Sequence, residues 1–304
     1  MIIVVAPGQG SQTPGFLEPW LEIDGFRDHL GTLSEAAGVD LVAHGTVSDA
    51  DTIRDTEIAQ PLIVAASIVT GALLFEGRRN LVGGVAGHSV GEFAAACLAG
   101  VLSDVDAIRL VGVRGKAMAN EASKVATGMS AVLGAELDVL QARLSELGLT
   151  AANMNGGGQV VVAGELSALA VLAEEPVPGT RVIPLQVAGA FHTAFMAGAV
   201  DTLREAASTV SPANPTIAIY TNRDGSRVSS GIDYMNFLIG QVSSPVRWDL
   251  CMDAFVHDGV TGVIELAPAG ALVGLAKRGL KGIPTIAVKS PDDLVAAIEL
   301  LEAS

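Results

Sequence analysis

Aromatic side chains and positive charge are both scarce in this 304-residue chain. Phe, Trp and Tyr together make up 4% of the residues, and 18 Lys and Arg stand against 33 Asp and Glu, for a formal net charge of −15. Nucleic-acid binding needs cations for the phosphates and often aromatic rings for the bases, so this composition argues against a nucleic-acid partner. The same charge would repel an acidic protein partner, unless a local basic patch overrides it.

Cysteines and long apolar runs are scarce as well. Cys97 and Cys251 are far apart and no metal-type cluster surrounds them, so we expect free thiols in a reducing cytosol, with no disulfide framework and no metal site. The first residues have no basic segment of the signal-peptide kind and are typical of a strand. The longest charge-free apolar run, residues 61–75, is too short to span a bilayer and predicts a buried helix. We therefore expect a cytoplasmic protein that has no membrane segment.

Strand and helix patterns alternate through a chain that is 50% hydrophobic, enough for a sizeable core. The β-branched run at 2–6 predicts a central parallel strand, and the run at 82–86 predicts another that leads into a helix at 92–99. Gln60 and Pro61 predict a helix start with proline at its first position. Ser103 opens a further helix through a capping box. Such alternation predicts an α/β fold, with a mostly parallel sheet between layers of helices.

The middle of the chain has a different order of elements. Strands are predicted at 129–133, 151–154, 159–163 and 181–185, and helices at 137–147 and 167–174. This β-α-β-β-α-β order is typical of a ferredoxin-like subdomain with a four-stranded antiparallel sheet. We therefore predict a large domain formed by 1–127 and 187–304, with a ferredoxin-like insert at 128–186.

A candidate nucleophile lies at the end of the second predicted strand. The motif Gly-His-Ser-Val-Gly at 87–91 fits the G-x-S-x-G elbow, and its place between a strand and a helix is the context that such an elbow requires. Ser89 would then sit at the helix N-terminus, near backbone amides that could stabilise an oxyanion. The alternative is a glycine-rich turn that carries an inert serine. His88 adjoins the serine but is expected to point elsewhere and to be structural.

A serine hydroxyl needs a base at neutral pH, and His192 is the candidate. It lies in an apolar stretch of small residues outside regular structure, where a histidine is either a satisfied core residue or a catalytic one. No convincing acid follows a strand between Ser89 and His192. A backbone carbonyl would then orient the imidazole, giving a dyad rather than a triad.

Arg114 projects from an apolar stripe of the helix that follows Ser103. A buried guanidinium needs an anionic partner, and no acid lies on that face within one turn. Arg114 could therefore reach the surface, pair with a distant carboxylate, or clamp the carboxylate of a substrate.

Taken together, the motifs resemble those of malonyl-CoA:acyl carrier protein transacylases and of the related polyketide synthase acyltransferase domains. The matches follow the family's order along almost the whole chain. They are Pro-Gly-Gln-Gly-Ser-Gln at 7–12, the serine motif at 87–92, Arg-Gly-Lys-Ala-Met at 114–118, Asn-Met-Asn-Gly-Gly-Gly-Gln-Val at 153–160, Gly-Ala-Phe-His at 189–192, and Gln241 with Ser-Pro-Val-Arg-Trp at 244–248. The resemblance implies an α/β-hydrolase-like large domain with a ferredoxin-like insert. Val90, where many members carry Leu, and Phe191, where some carry Ser, are mild departures.

The resemblance also implies roles for particular residues. Ser89 would be the nucleophile, His192 its base, and the Gln241 carbonyl the group that orients the base, while the Val90 and Gln9 amides would form the oxyanion hole. Arg114 would bind the malonyl carboxylate. The remaining substrate-binding candidates are Phe191, Asn155 and Gln159.

Malonyl-CoA and the phosphopantetheine arm of acyl carrier protein are the implied substrates, in fatty acid biosynthesis, without a cofactor and with a monomeric enzyme. Carrier proteins are acidic, and Lys277, Arg278 and Lys281 form a candidate basic docking site; alternatively, they compensate a helix dipole. Three other functions stay open. They are a serine thioesterase or hydrolase with the same dyad, an acyltransferase of a polyketide pathway, and a non-catalytic carrier-binding module.

Overall fold

The computed structural model describes residues 1–303, which form eleven strands and twelve α-helices in two sheet-based units. The strands are β1 (Ile2–Ala6), β2 (Val82–Gly87), β3 (Thr127–Leu133), β4 (Thr150–Gly156), β5 (Gln159–Glu165), β6 (Arg181–Pro184), β7 (Ile219–Tyr220), β8 (Arg227–Val228), β9 (Val246–Arg247), β10 (Gly262–Glu265) and β11 (Thr285–Ala287). The helices are α1 (Phe26–Ala37), α2 (Leu41–Thr46), α3 (Thr56–Phe75), α4 (Gly91–Leu98), α5 (Asp104–Ala122), α6 (Leu137–Leu147), α7 (Leu166–Glu174), α8 (Ala197–Ala207), α9 (Gly231–Gln241), α10 (Trp248–His257), α11 (Ala271–Gly279) and α12 (Asp293–Glu302).

The larger sheet has the strand order β11-β10-β1-β2-β7-β8 and is parallel except for β8. Its central strand β1 is buried along its whole length. Because side chains alternate between faces, Ile2 and Val4 join one hydrophobic cluster while Ile3 and Val5 join another. A strand covered on both faces needs an unbroken apolar run, which is the pattern of residues 2–6. The predicted α/β class with a parallel sheet is confirmed.

The smaller sheet has the strand order β6-β3-β5-β4-β9. The four strands β3 to β6 pair with one another in antiparallel fashion and, with α6 and α7, follow the predicted ferredoxin-like order. Three consecutive glycines at 156–158, all with positive φ, make the turn between β4 and β5. The predicted domain bounds at 127/128 and 186/187 stay a prediction.

A fifth strand extends the smaller sheet, which the sequence did not predict. β9 pairs in parallel with β4, so that Asn153 lies beside Val246 and Met154 beside Arg247. β9 comes from the chain after the insert, between α9 and α10. This pairing joins the insert to the segment that follows Gln241, and it brings the strand of Asn153 close to the serine elbow.

The helix predicted to start at Pro61 begins five residues earlier, so that prediction was wrong. α3 starts at Thr56, where the Asp55 side chain accepts a hydrogen bond from the Glu57 amide, and Pro61 lies inside the helix. Most residues of α3 are buried, and this packing, together with the cap at Asp55, stabilises the helix across a proline that lacks one backbone donor. By length and composition α3 could cross a membrane, but 83% of its most apolar window is buried in the protein. This agrees with the predicted buried helix.

Candidate active site

Ser89 lies in the tight turn between β2 and α4. Its φ is 53°, in the left-handed region. Gly87 and Gly91 flank it where the backbones nearly touch: a Cβ on Gly87 would overlap the Gly91 backbone, and a Cβ on Gly91 would overlap the Ala6 carbonyl. The two glycines of the motif therefore allow the strand and the helix to meet while the serine hydroxyl stays at the tip of the turn.

His192 approaches the serine from the loop before α8. Its Nε2 lies 2.7 Å from the Ser89 Oγ, and its Nδ1 lies 2.8 Å from the Gln241 carbonyl oxygen. A carbonyl can only accept, so Nδ1 carries the proton and donates to Gln241, which leaves Nε2 free to accept from the serine hydroxyl. The arrangement is a dyad oriented by a backbone carbonyl.

The electrostatic surroundings keep His192 neutral. Its side chain is 3% exposed. Burial, and then the positive charge of Arg114, lower the pKa of His192 to about 3, while the hydrogen bond to Gln241 opposes the shift. A neutral imidazole is the form that can take a proton from serine.

Arg114 is 1% exposed and does not reach the surface. Its two terminal nitrogens donate to amide oxygens, Nη1 to Gln60 Oε1 at 2.6 Å and Nη2 to Gln241 Oε1 at 3.0 Å, while Nε has no partner among the described residues. Burial lowers the pKa of Arg114 to about 10, so the guanidinium stays charged at neutral pH. Its hydrogen-bond partners are neutral amide oxygens, and the nearby Glu92 carboxyl raises its pKa against the effect of burial. No carboxylate of the described residues is hydrogen-bonded to it, so an anion in the site could take that place.

The backbone amides of Val90 and Gln9 and a small cavity lie beside the serine. Among the hydrogen bonds of residues 1–303, none uses the backbone amide of Val90 or of Gln9 as donor. Both residues line a cavity of about 80 Å³ that also contains Ser89 and His192. A cleft of about 670 Å³ shares four wall residues with this cavity: Gln9, Val161, Leu185 and Val187. An extended ligand in the cleft could therefore place its reactive end at the serine.

Comparisons with known proteins agree with this geometry. Residues 3–292 match the sequence profile of a family described as "Acyl transferase domain". The chain belongs to the acyltransferase family. It is 48% identical over 298 residues to a malonyl CoA-acyl carrier protein transacylase of Mycobacterium tuberculosis, covering 97% of this chain and 98% of the relative.

Solved structures show the same fold. The crystal structure of MCAT from Mycobacterium tuberculosis matches with a TM-score of 0.94 and 47% identity, over 98% of this chain and 99% of that one. A malonyl-transacylase in complex with a type II PKS acyl-carrier protein matches with a TM-score of 0.93 and 29% identity, over 98% and 99% of the chains.

Other residues predicted for the acyltransferase site take different places. Phe191 lines the small cavity, and Gln159 lines the cleft. Asn155 is buried, with Oδ1 2.9 Å from His88 Nε2 and Nδ2 donating to Gln159 Oε1 at 3.4 Å. His88, which was expected to be structural, pairs with Asn155 and belongs to the wall of the serine cavity.

Three further residues lie at the acyltransferase site although the sequence assigned no role to them individually. Asn222 Oδ1 accepts a hydrogen bond from the Ser89 amide at 2.7 Å, and Gln60 Oε1 accepts one from Arg114. Asn153 lines the serine cavity, and its Oδ1 has no hydrogen-bond partner among the described residues. Asn222 follows the strand β7 at the carboxyl edge of the parallel sheet, and that position is the one clue to it in the sequence.

Glu92, the last residue of the serine motif, was assigned no role from the sequence. It is 1% exposed, and burial raises the pKa of its carboxyl to about 8 against the opposing hydrogen bonds from Asn222 and Gln241. Such a buried acid beside a reactive serine calls for an explanation.

Proposed function

We propose that this acyltransferase moves a malonyl group from malonyl-CoA to the phosphopantetheine thiol of an acyl carrier protein of fatty acid synthesis, through a malonyl ester on Ser89. The observation that carries the proposal is the 2.7 Å contact between Ser89 Oγ and a neutral His192, with the buried guanidinium of Arg114 bound to the same Gln241 that orients the histidine. The names of the relatives support malonyl as the acyl group.

The first half-reaction acylates the serine. Ser89 Oγ attacks the thioester carbonyl carbon while His192 Nε2 takes the hydroxyl proton. The Val90 and Gln9 amides donate to the oxyanion, and the loss of one such donor typically costs about 2.7–4 kcal/mol of transition-state stabilisation. The intermediate collapses by breaking the C–S bond, and the CoA sulfur leaves with the proton from His192.

The second half-reaction reverses these roles. His192 takes the proton of the carrier thiol, whose sulfur attacks the ester carbonyl, and then returns that proton to Ser89 Oγ as the ester bond breaks. The first step converts a thioester into an ester and the second converts that ester into a thioester, so neither changes an oxidation state. We therefore propose that the enzyme needs no redox cofactor and no metal. Its being a cytoplasmic monomer stays a prediction.

Carrier docking is proposed at the end of α11. Lys277, Arg278 and Lys281 are exposed, and none of them forms an ion pair with another residue of the described chain. Arg278 Nη2 lies 3.5 Å from Gln159 Oε1, in the wall of the cleft. A carrier bound there would have its arm beside the cleft, and local cations would offset the acidic surface.

Mass spectrometry after brief mixing with malonyl-CoA tests the proposal. We expect a malonyl adduct on the peptide that contains Ser89, which disappears when a holo acyl carrier protein is added and reappears as malonyl-carrier. Ser89→Ala is the control that should form no adduct. An adduct lost to free malonate without a carrier would indicate a hydrolase, and no adduct at all would indicate a binding module. Parallel runs with fatty-acid and polyketide carriers would show which is used faster.

A further inference from the structure

The carboxyl of Glu92 is the point where several parts of the site meet. Its Oε1 accepts from the Asn222 backbone amide at 2.6 Å and from the Tyr234 hydroxyl at 3.5 Å. Its Oε2 accepts from Gln241 Nε2 in a short hydrogen bond. Both oxygens therefore act as acceptors. The donors come from the loop after β7 (Asn222) and from α9 (Tyr234 and Gln241), and they converge on the first turn of α4.

Asn222, the first partner, holds the serine turn. Its Oδ1 accepts from the Ser89 amide at 2.7 Å, and its Nδ2 donates to the Gly87 carbonyl at 2.7 Å. The Asn222 side chain thus binds the backbone on both sides of the Ser89 turn, while the backbone amide of Asn222 donates to Glu92.

Gln241, the second partner, holds the base and the guanidinium. Its side chain donates to the Ser89 carbonyl at 3.0 Å and accepts from Arg114 at 3.0 Å, and its backbone carbonyl accepts from His192 at 2.8 Å. The Glu92 contact fixes which way this amide faces, because the nitrogen must point to the carboxyl and the oxygen to Arg114.

We propose that Glu92 is a positioning residue that holds Ser89, His192 and Arg114 in their relative positions through its contacts with Asn222 and Gln241. It thereby contributes both to acylation and to the preference for a malonyl group. The inference rests on the proposed function. It requires a group with two acceptor oxygens: a glutamine at 92 would turn an amide nitrogen toward the Gln241 nitrogen or the Asn222 amide, and two facing donors repel. Gln241 would then rotate and release Arg114.

Glu92→Gln tests the inference, with Glu265→Gln as the matched control. Glu265 is also a buried carboxyl, and it accepts three backbone amides at the start of α11, from Gly270, Leu272 and Val273. Acylation of Ser89 would be followed by stopped flow with malonyl-CoA and with acetyl-CoA, and the melting temperature recorded for each variant.

For Glu92→Gln we expect a fall in the acylation kcat of about ten- to a hundredfold and a fall in the malonyl-to-acetyl ratio of at least about threefold. Glu265→Gln should lower the melting temperature while its kcat and its ratio stay within about twofold of wild type. In a Gln241→Ala background, Glu92→Gln should add little, because the two residues act along one route.

The inference is wrong if Glu92→Gln keeps the wild-type kcat and ratio, or if its loss of kcat comes with an unchanged ratio as in a partly unfolded enzyme. Should that variant not fold, Glu92→Asp keeps the carboxyl group but withdraws it from Asn222 and Gln241, and wild-type kinetics in it would equally overturn the inference. If wild type itself forms no malonyl-Ser89, the proposed function fails instead.

Discussion

Ser89 and His192 share an unusual backbone conformation. Three described residues other than glycine have a positive φ, and these two are among them, at 53° and 62°. Such a conformation costs of order 1–3 kcal/mol per residue and persists where surrounding contacts enforce it. Here the enforcing contacts are the Asn222 side chain on the Ser89 amide and the Gln241 carbonyl on the imidazole. The reacting atoms are thus placed before the substrate arrives, which is what an acyl transfer needs.

Arg114→Ala should separate malonyl from acetyl transfer. A charge-assisted hydrogen bond is worth roughly 1.5–3 kcal/mol, so we expect kcat/KM for malonyl-CoA to fall about ten- to 150-fold, while that for acetyl-CoA changes little. Initial rates with both thioesters would measure this. Arg109→Ala is the control, because Arg109 lies on the same helix but pairs with Asp106 at the surface. An equal loss with both substrates would refute the carboxylate clamp.

Among the elements, α11 combines a buried cap with an exposed basic end. Glu265, at the end of β10, satisfies the first amides of the helix, and its pKa is raised by burial against those hydrogen bonds. At the other end Lys277 and Arg278 fall in the last turn, where cations also favour the helix dipole. The helix therefore holds a local basic surface rigidly beside the cleft.

Reversing the charge of this surface should weaken carrier use alone. For Lys277→Glu we expect the KM for carrier protein to rise about three- to tenfold and to lose part of its salt dependence, with the KM for malonyl-CoA unchanged. Steady-state kinetics at two ionic strengths would measure both. Arg204→Glu serves as a control with the same charge change, since Arg204 lies on α8 beside a different groove. Carrier kinetics that are the same in the two variants would remove the docking proposal.

At the scale of the whole molecule, burial of the site makes the free energy of unfolding depend on pH. The pKa of His192 is about 3 in the folded protein and near 6.5 when exposed. Between these values the unfolded chain binds a proton that the native protein does not, so the stability contributed by His192 is complete above pH 6.5 and is lost as the pH falls. The contribution of His192 to stability therefore falls with pH in this range, while the raised pKa of Glu92 acts in the opposite direction.

A comparison with His192→Gln measures that contribution. The free energy of unfolding of wild type should fall more steeply than that of the variant between pH 6.5 and 4.5, by about 1.4 kcal/mol per pH unit for one proton. Urea unfolding at pH 4.5, 5.5, 6.5 and 7.5 would give both slopes. Parallel slopes for wild type and variant would contradict a strongly lowered pKa for His192.

Much of this architecture follows from local patterns in the chain. The apolar run at 2–6 is buried on both faces, the capping signal at Ser103 opens α5, and the order of elements from β3 to β6 is as predicted. The glycines around Ser89 predict the turn because the motif itself shows that a strand can meet a helix there, although the contact that excludes a side chain at Gly91 comes from Ala6 of β1. These features depend on periodicity, caps and turns, whose signals lie within a few residues.

The rest depends on contacts between distant segments. Asn222 lies 133 residues from Ser89, and Gln241 lies 149 residues from Glu92, yet each pair is joined by a hydrogen bond. The same holds for β9 beside β4, and Asp55 rather than Pro61 starts α3. A polar side chain in a loop has no periodicity that would indicate its partner. The packing of strands and helices around the larger sheet decided which amides and carboxyls meet around the serine, because only the folded chain brings these segments within hydrogen-bond distance.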